Sequence, residues 1–150
     1  MEEPIRKLKS KQKTGHESFC SDGIARDFNL LDYWRWMASD LVSNTSRGIS
    51  AEYIVARAVG VSTTSVRDDW ASYALETDDG IKIEVKSAAY IQSWKQARLS
   101  PISFRINKTR AWNPEIGQYV GERQRHANIY VFALLHHQDP DTLSAFYDRL

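Results

Sequence analysis

The chain has 150 residues, of which 42% are hydrophobic and 26% are charged, and its formal net charge is +1. This length suits one domain with a hydrophobic core, and the composition excludes wholesale disorder as well as a membrane-spanning run. Because the overall charge is nearly neutral, any surface for a nucleic acid must be local. The single cysteine, Cys20, cannot form an intrachain disulfide, and no N-terminal stretch has the apolar core of a signal peptide. These features predict a cytoplasmic protein.

The predicted organisation is a flexible basic N-terminal arm over residues 1–27, followed by a single α/β domain over residues 28–150. The arm is a solvated terminus in one interpretation and tracks phosphates in the other. At the other end, residues 143–150 resemble the start of a helix, so a continuation of the natural protein beyond Leu150 stays open. The basic residues of the arm lie near its start, with few apolar neighbours: Arg6, Lys7, Lys9, Lys11 and Lys13.

Two helices are predicted before the first strands of the domain. Apolar residues at spacings of three and four predict a helix over residues 28–42. A second helix is predicted over residues 46–59, where Gly60 provides a C-terminal cap. Glu52 borders the apolar stripe of this second helix. It is a surface residue or a partner of Arg57 in one interpretation, and part of a functional site in the other.

The next stretch predicts a β-hairpin with one apolar face and one charged face. Apolar and charged residues alternate strictly from Ile81 to Lys86, which is the period of a strand with one buried face. Residues 73–77 alternate in the same sense, and the intervening Asp78-Asp79-Gly80 is typical of a hairpin turn. Glu84 and Lys86 lie roughly 7 Å apart on the charged face, so both can reach one phosphate or one metal-bound water.

Two shorter elements and a long basic segment are predicted after the hairpin. Residues 90–99 predict a short helix that carries Gln92 and Lys95, and residues 100–106 predict a third strand. Residues 107–127 are polar and have no clear period, which predicts a long irregular segment. Five basic and two acidic residues between positions 105 and 126 give a local net charge of +3, with aromatic residues among them. Phosphate contact with base stacking and a simple solvated loop both stay open.

Residues 128–135 form a near-continuous apolar run. Such a run is typical of a strand that is buried on both faces. It predicts a central strand in a mixed sheet that is flanked by α-helices, and hence an α/β fold.

The pattern Glu84-Val85-Lys86 carries the chemistry of the hairpin. Hydrolysis of a phosphodiester needs oxygen ligands to hold Mg²⁺, and it benefits from a cation near the attacking water or the scissile phosphate. Glu84 and the main-chain carbonyl of Val85 can supply oxygens. Lys86 can orient the nucleophilic water or stabilise the developing charge.

This arrangement resembles the PD-(D/E)XK nuclease superfamily. The resemblance rests on Glu52 in the helix before the hairpin, on Glu84-Val85-Lys86, and on Gln92 downstream, and it covers about residues 45–135. It implies a restriction-endonuclease-like core, with a mixed central β-sheet flanked by α-helices. It also implies a metal-dependent DNA endonuclease that uses Mg²⁺, with Mn²⁺ as a substitute.

The resemblance assigns roles to individual residues. Glu52, Glu84 and the Val85 carbonyl would hold the metal, Lys86 would position the water, and Gln92 would support the site or contact the DNA backbone. We expect DNA as the partner and no membrane, and a homodimeric assembly stays open. Contacts to the nucleic acid are expected from the basic residues of the C-terminal half: Lys95, Arg105, Lys108, Arg110, Arg123 and Arg125.

The chain departs from the family at Ala74, where an Asp is expected to face Glu84 across the hairpin while Tyr73 faces the core. Three interpretations of this departure stay open: an engineered inactivation, a substitute carboxylate at Asp68 or Asp69, and a natural relative that binds a nucleic acid or a protein without cleavage. A further alternative is that Glu84 and Lys86 belong only to a solvated strand face.

Overall fold

The computed structural model describes residues 8–143, and a three-stranded mixed sheet lies at its centre. Strand β4 (Lys82–Ala89) is the middle strand of this sheet. β3 (Leu75–Glu76) pairs with it antiparallel, and β7 (Ile129–Leu135) pairs with it in parallel. The predicted mixed α/β architecture is therefore confirmed.

The turn between β3 and β4 lies where the sequence predicts it. The N–H of Thr77 donates to the carbonyl of Ile81 over 3.0 Å, and Gly80 adopts a left-handed φ of 81°. Glycine suits this position because a positive φ costs it no steric clash. The pairing of Leu75 with Ile83 agrees with the register that the predicted turn requires.

The core lies between β4 and helix α2 (Asn44–Val59). Strand alternation turns Ile83 and Val85 toward this helix, where they pack with Ala51. Burial of an aliphatic side chain of this size contributes about 1.5–3 kcal/mol to folding. The helix begins after Ser43, whose hydroxyl accepts from the N–H of Ser46, and it ends at the left-handed Gly60. The predicted second helix and its cap are confirmed.

The N-terminal part of the described chain contains regular structure. β1 (Ser18–Ser21) and β2 (Ile24–Asn29) form an antiparallel hairpin that leads directly into helix α1 (Leu30–Ala38). Residues 18–27, predicted as part of a flexible arm, therefore form most of this hairpin. Arg6 and Lys7 lie outside the described residues.

Helix α1 is shorter than the predicted 28–42 because local side chains begin and end it. The side chain of Asn29 accepts from the N–H groups of Leu31 and Asp32, which forms a capping box at the N-terminus. Beyond the helix, Asp40 accepts from the N–H of Val42, and this local turn competes with further helical hydrogen bonds.

The predicted helix over residues 90–99 is wrong, because side-chain hydrogen bonds hold this segment as a loop. The amide of Gln96 accepts from the N–H of Gln92 over 2.8 Å and donates to the carbonyl of Tyr90 over 3.2 Å. The N–H of Ser100 closes the loop by donating to the same Tyr90 carbonyl. Main-chain groups that a helix would pair internally are thus bonded elsewhere.

The predicted strand over residues 100–106 is also wrong, although its alternation is real. Ile102, Phe104 and Ile106 are half-buried and their neighbours between them are exposed, but the segment joins no sheet among the described residues. Phe104 stacks on Phe132 of β7 with ring centroids 4.7 Å apart. Side-chain packing against the sheet explains the pattern without backbone pairing.

Residues 107–127, predicted as irregular, contain a second hairpin. β5 (Thr109–Asn113) pairs antiparallel with β6 (Gln118–Gln124). Gly117 at the turn has a φ of 63°, and its N–H donates to the carbonyl of Asn113. The prediction failed because β6 is exposed along its whole length, so no apolar face marks its period.

The strand predicted over residues 128–135 is confirmed as β7, but its predicted position and burial are wrong. β7 pairs only with β4 within residues 8–143, so β4 is the central strand. Ile129, Phe132 and Leu134 are exposed. After β7, the chain forms a 3₁₀ turn (Pro140–Thr142), and the helix predicted from residue 143 onward falls almost wholly outside the described residues. None of the described helices is long and apolar enough to cross a membrane.

Candidate functional site

Glu84 and Lys86 lie on the face of β4 that points away from α2. The ammonium of Lys86 donates to Oε1 of Glu84, and both side chains are partly exposed. They line a cavity of about 220 Å³ together with residues from three other segments, among them Arg105, Thr109 and Tyr130. The strand spacing therefore places a carboxylate and a cation at one opening, as the alternation predicts.

Glu52 projects from α2 and is held by a residue that the sequence did not single out. Arg67 donates to both of its carboxylate oxygens, Nε to Oε2 over 2.5 Å and Nη2 to Oε1 over 3.0 Å, and pairs with Asp69 as well. Arg67 rather than Arg57 is thus the partner of Glu52. The segment around Arg67 has no periodic pattern from which this contact could have been predicted.

Arg67 interacts electrostatically with both carboxylates of the predicted site, Glu52 and Glu84. The hydrogen bond that Arg67 donates to Glu52 raises the pKa of the guanidinium, desolvation opposes this shift, and the charges of Glu52, Asp69 and Glu84 raise the pKa further. Arg67 therefore pairs with Glu52 directly and lies close enough to Glu84 to be stabilised by its charge.

Ala74 lies beside Glu84 in the hairpin, but its side chain is oriented differently from the prediction. Its N–H donates to the carbonyl of Ile83 over 3.0 Å, at the end of the β3–β4 ladder. The methyl group of Ala74 packs against the core cluster of β4 and α2. The aromatic ring of Tyr73 instead faces Lys82, whose Nζ lies 5.0 Å from the ring centroid. The predicted orientations of Tyr73 and Ala74 are therefore wrong. The ladder pairs only two residues of β3, so it does not impose strict alternation before Leu75.

Position 74 faces the space next to Glu52. Ala74, Glu52 and Arg67 line one cavity of about 500 Å³ between α2 and β3. A carboxylate at position 74 would enter this space, with the Arg67 guanidinium as a neighbour. Asp68 lines the same cavity, while Asp69 is engaged by Arg67.

The residues present do not complete a divalent-cation site. Within residues 8–143, no group of three His, Cys, Asp or Glu side chains is placed to hold a metal ion. Glu84 is paired with Lys86, and Glu52 is paired with Arg67. Each carboxylate therefore has a protein cation as its neighbour, and the side chain at position 74 contributes no oxygen.

Gln92 lies on the α2 side of β4 and has a structural role there. Its Nε2 donates to the carbonyl of Ala89 over 2.9 Å, and its Oε1 accepts from Nη1 of Arg47 over 3.3 Å. Arg47 is only 6% exposed, and burial lowers the pKa of its guanidinium. It also donates to Ser87 on β4. Sequence reasoning missed this buried arginine because a charged residue in a first helical turn is usually exposed.

The predicted nucleic-acid-binding residues separate into several places. Arg105 lines the cavity at Glu84, while Arg125 donates through Nε to the carbonyl of Ile106 over 3.1 Å. Lys95 is exposed in the loop of residues 90–99. The remaining three line a separate cavity of about 490 Å³ at the β5–β6 hairpin: Lys108, Arg110 and Arg123.

The structure thus brings Glu84, Lys86 and Arg105 together at one cavity, and Glu52 with Arg67 at a different one. No protein-family model, no curated protein and no solved structure matches this chain.

Proposed function

We propose that this chain is a DNA-binding protein of the Mg²⁺-dependent endonuclease type, with a restriction-endonuclease-like core and a hydrolytic site that is incomplete at position 74. The observation that carries the proposal is the Glu84–Lys86 pair at the mouth of a cavity, while the main chain of position 74 bonds to the adjoining Ile83. The mixed central sheet, and helix α2 with Glu52 on the opposite face of that sheet, also support the proposal.

The side chains at the opening suit a phosphodiester. Lys86 and Arg105 line the cavity and carry positive charge, which attracts the anionic phosphate. The hydrogen bond to Glu84 holds the Lys86 ammonium in place, so little reorientation is needed when a phosphate arrives. Bound Mg²⁺ would add Lewis-acid chemistry, but this requires an additional oxygen ligand that Ala74 does not supply.

The test is the substitution Ala74→Asp, compared with Ala71→Asp. Position 71 is exposed and lies outside the cavities that contain the candidate residues, so it controls for added negative charge. We expect Ala74→Asp to cleave DNA in Mg²⁺ or Mn²⁺ at least about 10²-fold faster than the control, the usual scale of one acid–base or electrostatic contribution. Adding Lys86→Ala should remove this gain.

A folded Ala74→Asp protein that cleaves no DNA in either metal would end the endonuclease proposal. Circular dichroism and a urea titration of each variant establish that folding is intact. The metal requirement is checked by adding a chelator, which should return the rate to that of the control.

A second candidate function is DNA binding without cleavage. It is favoured by the pairing of both carboxylates with protein cations, Glu52 with Arg67 and Glu84 with Lys86, which satisfies their charge without a metal. This function predicts that the affinity of the unchanged chain for DNA is the same with Mg²⁺ and with a chelator. It also predicts that Arg105→Ala weakens binding while Ala74→Asp produces no cleavage.

A further inference from the structure

An exposed aromatic platform lies on the β5–β6 hairpin. Trp112 of β5 and Tyr119 of β6 face each other across the strands, with ring centroids 5.1 Å apart in an edge-on arrangement. Trp70 packs against Trp112 at 5.4 Å from outside the hairpin. Trp70 is 61% exposed and Tyr119 is 62% exposed, although rings of this size are usually mostly buried. Trp112 is half-buried and packs against both of these largely exposed rings.

Positive charge surrounds one edge of this platform. Tyr119 lines the cavity of about 490 Å³ at the hairpin, together with Lys108, Arg110 and Arg123. In the part of the chain that the structure describes, none of these three cations is paired with a carboxylate. Unpaired cations beside exposed aromatic faces are the combination that binds the phosphates and the bases of a single strand.

The basic cavity beside the platform shares one lining residue with the cavity at Glu84 and Lys86. Thr109 lines both cavities, so they adjoin at the start of β5. His126 Nε2 lies 2.8 Å from the carbonyl oxygen of Thr109, which fixes the base of the hairpin at this junction. A strand bound along the basic cavity would therefore lead toward the Glu84–Lys86 opening.

The nature of the platform favours an unpaired strand over a duplex. In a duplex, the base faces are covered by their neighbours in the stack, so Trp70 and Tyr119 would find no ring to stack on. A duplex would engage the cations alone. An unpaired base can lie flat on an aromatic ring, and each such contact contributes about 1–3 kcal/mol to binding.

We propose that Trp70, Trp112 and Tyr119, with the three cations beside them, bind an unpaired DNA strand and direct it toward Glu84 and Lys86. The direction of the strand rests on the proposed function. The binding itself does not, since it requires neither metal nor cleavage.

The experiment measures binding of the unchanged chain to a dye-labelled oligothymidylate and to a duplex of the same length, by fluorescence anisotropy without metal. We expect tighter binding of the single strand. Tyr119→Ala and Trp70→Ala should each weaken it about 5-fold to 100-fold, the equivalent of one lost stack, and should change duplex affinity little. Trp94→Ala, at an exposed tryptophan in the loop of residues 90–99, is the matched control and should have no effect.

Two further variants separate stacking from charge and from folding. Tyr119→Phe keeps the ring and should retain single-strand affinity. Arg123→Ala should weaken the binding of both the single strand and the duplex. It should also lower the number of counterions released on binding, measured from the salt dependence of the affinity, by about one. Because Trp70 lies outside the hairpin, Trp70→Ala tests the platform even if Tyr119→Ala disturbs the strands.

The proposal is overturned if the duplex binds as tightly as the single strand, or if Trp70→Ala leaves single-strand affinity unchanged. Its failure differs from failure of the proposed function. Absence of cleavage by Ala74→Asp would leave a single-strand preference intact, whereas loss of that preference would leave metal-dependent cleavage by Ala74→Asp intact.

Discussion

Replacement of the buried Arg47 by alanine is expected to destabilise the fold strongly. Its guanidinium joins the start of α2 to β4 and the following loop, because it donates to Ser87 and Gln92 as well as to the nearby Val42 carbonyl. It also donates to Asn44 over 2.5 Å. Alanine would leave these acceptors without their donor and would open a cavity between α2 and β4.

The expected loss of unfolding free energy in Arg47→Ala follows from two opposing contributions. Each hydrogen bond from a charged donor contributes about 1.5–3 kcal/mol, so the bonds at 3.0–3.3 Å to Val42, Ser87 and Gln92 are substantial together. The cost of burying the charge opposes this gain, and that cost disappears in the variant. Each buried acceptor left without a donor costs about 1–3 kcal/mol, so after relief of the charge-burial cost we expect Arg47→Ala to lose about 2–4 kcal/mol.

Urea unfolding followed by tryptophan fluorescence measures the change in unfolding free energy. Arg57→Ala is the matched control, since Arg57 lies on the same helix and is exposed. This control should change stability by no more than about 0.5 kcal/mol. Arg47→Lys should be intermediate, because an ammonium cannot reach acceptors in several directions as a guanidinium does. A loss of less than about 1 kcal/mol in Arg47→Ala would refute the reasoning, as it would show that the network adds no net stability.

Two further predictions concern stability. Gly15→Ala should destabilise the fold by about 1–3 kcal/mol, because Gly15 has a φ of +94° and a new Cβ would lie 2.9 Å from the Trp34 ring. Gly48→Ala, on α2, should instead stabilise the fold by about 1 kcal/mol, because a new Cβ there would meet no atom within 4 Å. Thermal or urea unfolding checks both, and an equal effect of the two would contradict the reasoning. The Tyr73 hydroxyl donates to Glu76, and this hydrogen bond raises the pKa of Tyr73. The resulting stability is fully present below the unfolded pKa of about 10 and is lost as pH rises through the higher folded pKa. Tyr73→Phe should therefore lose less stability than the unchanged chain as the pH rises above about 10, and equal alkaline losses would count against the contact.

Local patterns predicted the elements whose side chains alternate between the core and solvent. The alternation around Glu84 and the glycine at position 80 were sufficient for the turn and the charged face of β4. The helical spacing before Gly60 was sufficient for α2. In each case, the sequence pattern spans only a few neighbouring residues, and it arises because one face of the element is buried.

The same reasoning failed where side chains of distant or irregular segments decide the outcome. Gln96 bonds the main chain of residues 90–99 and prevents the predicted helix. The exposed β6 has no apolar face to reveal its period. Tyr73 and Ala74 lie just beyond a ladder of two residues, where alternation is not imposed.

The sequence alone determined the local geometry of the candidate site, namely that Glu84 and Lys86 share one strand face beside position 74. Only the tertiary structure decided which charges meet: Arg67 with Glu52, and Arg47 with Gln92. It also placed Trp70 on the hairpin that carries Trp112. The physical reason is that periodicity reports how one residue is oriented relative to its neighbours, whereas contacts across 15 to 45 positions depend on how the whole chain closes around β4.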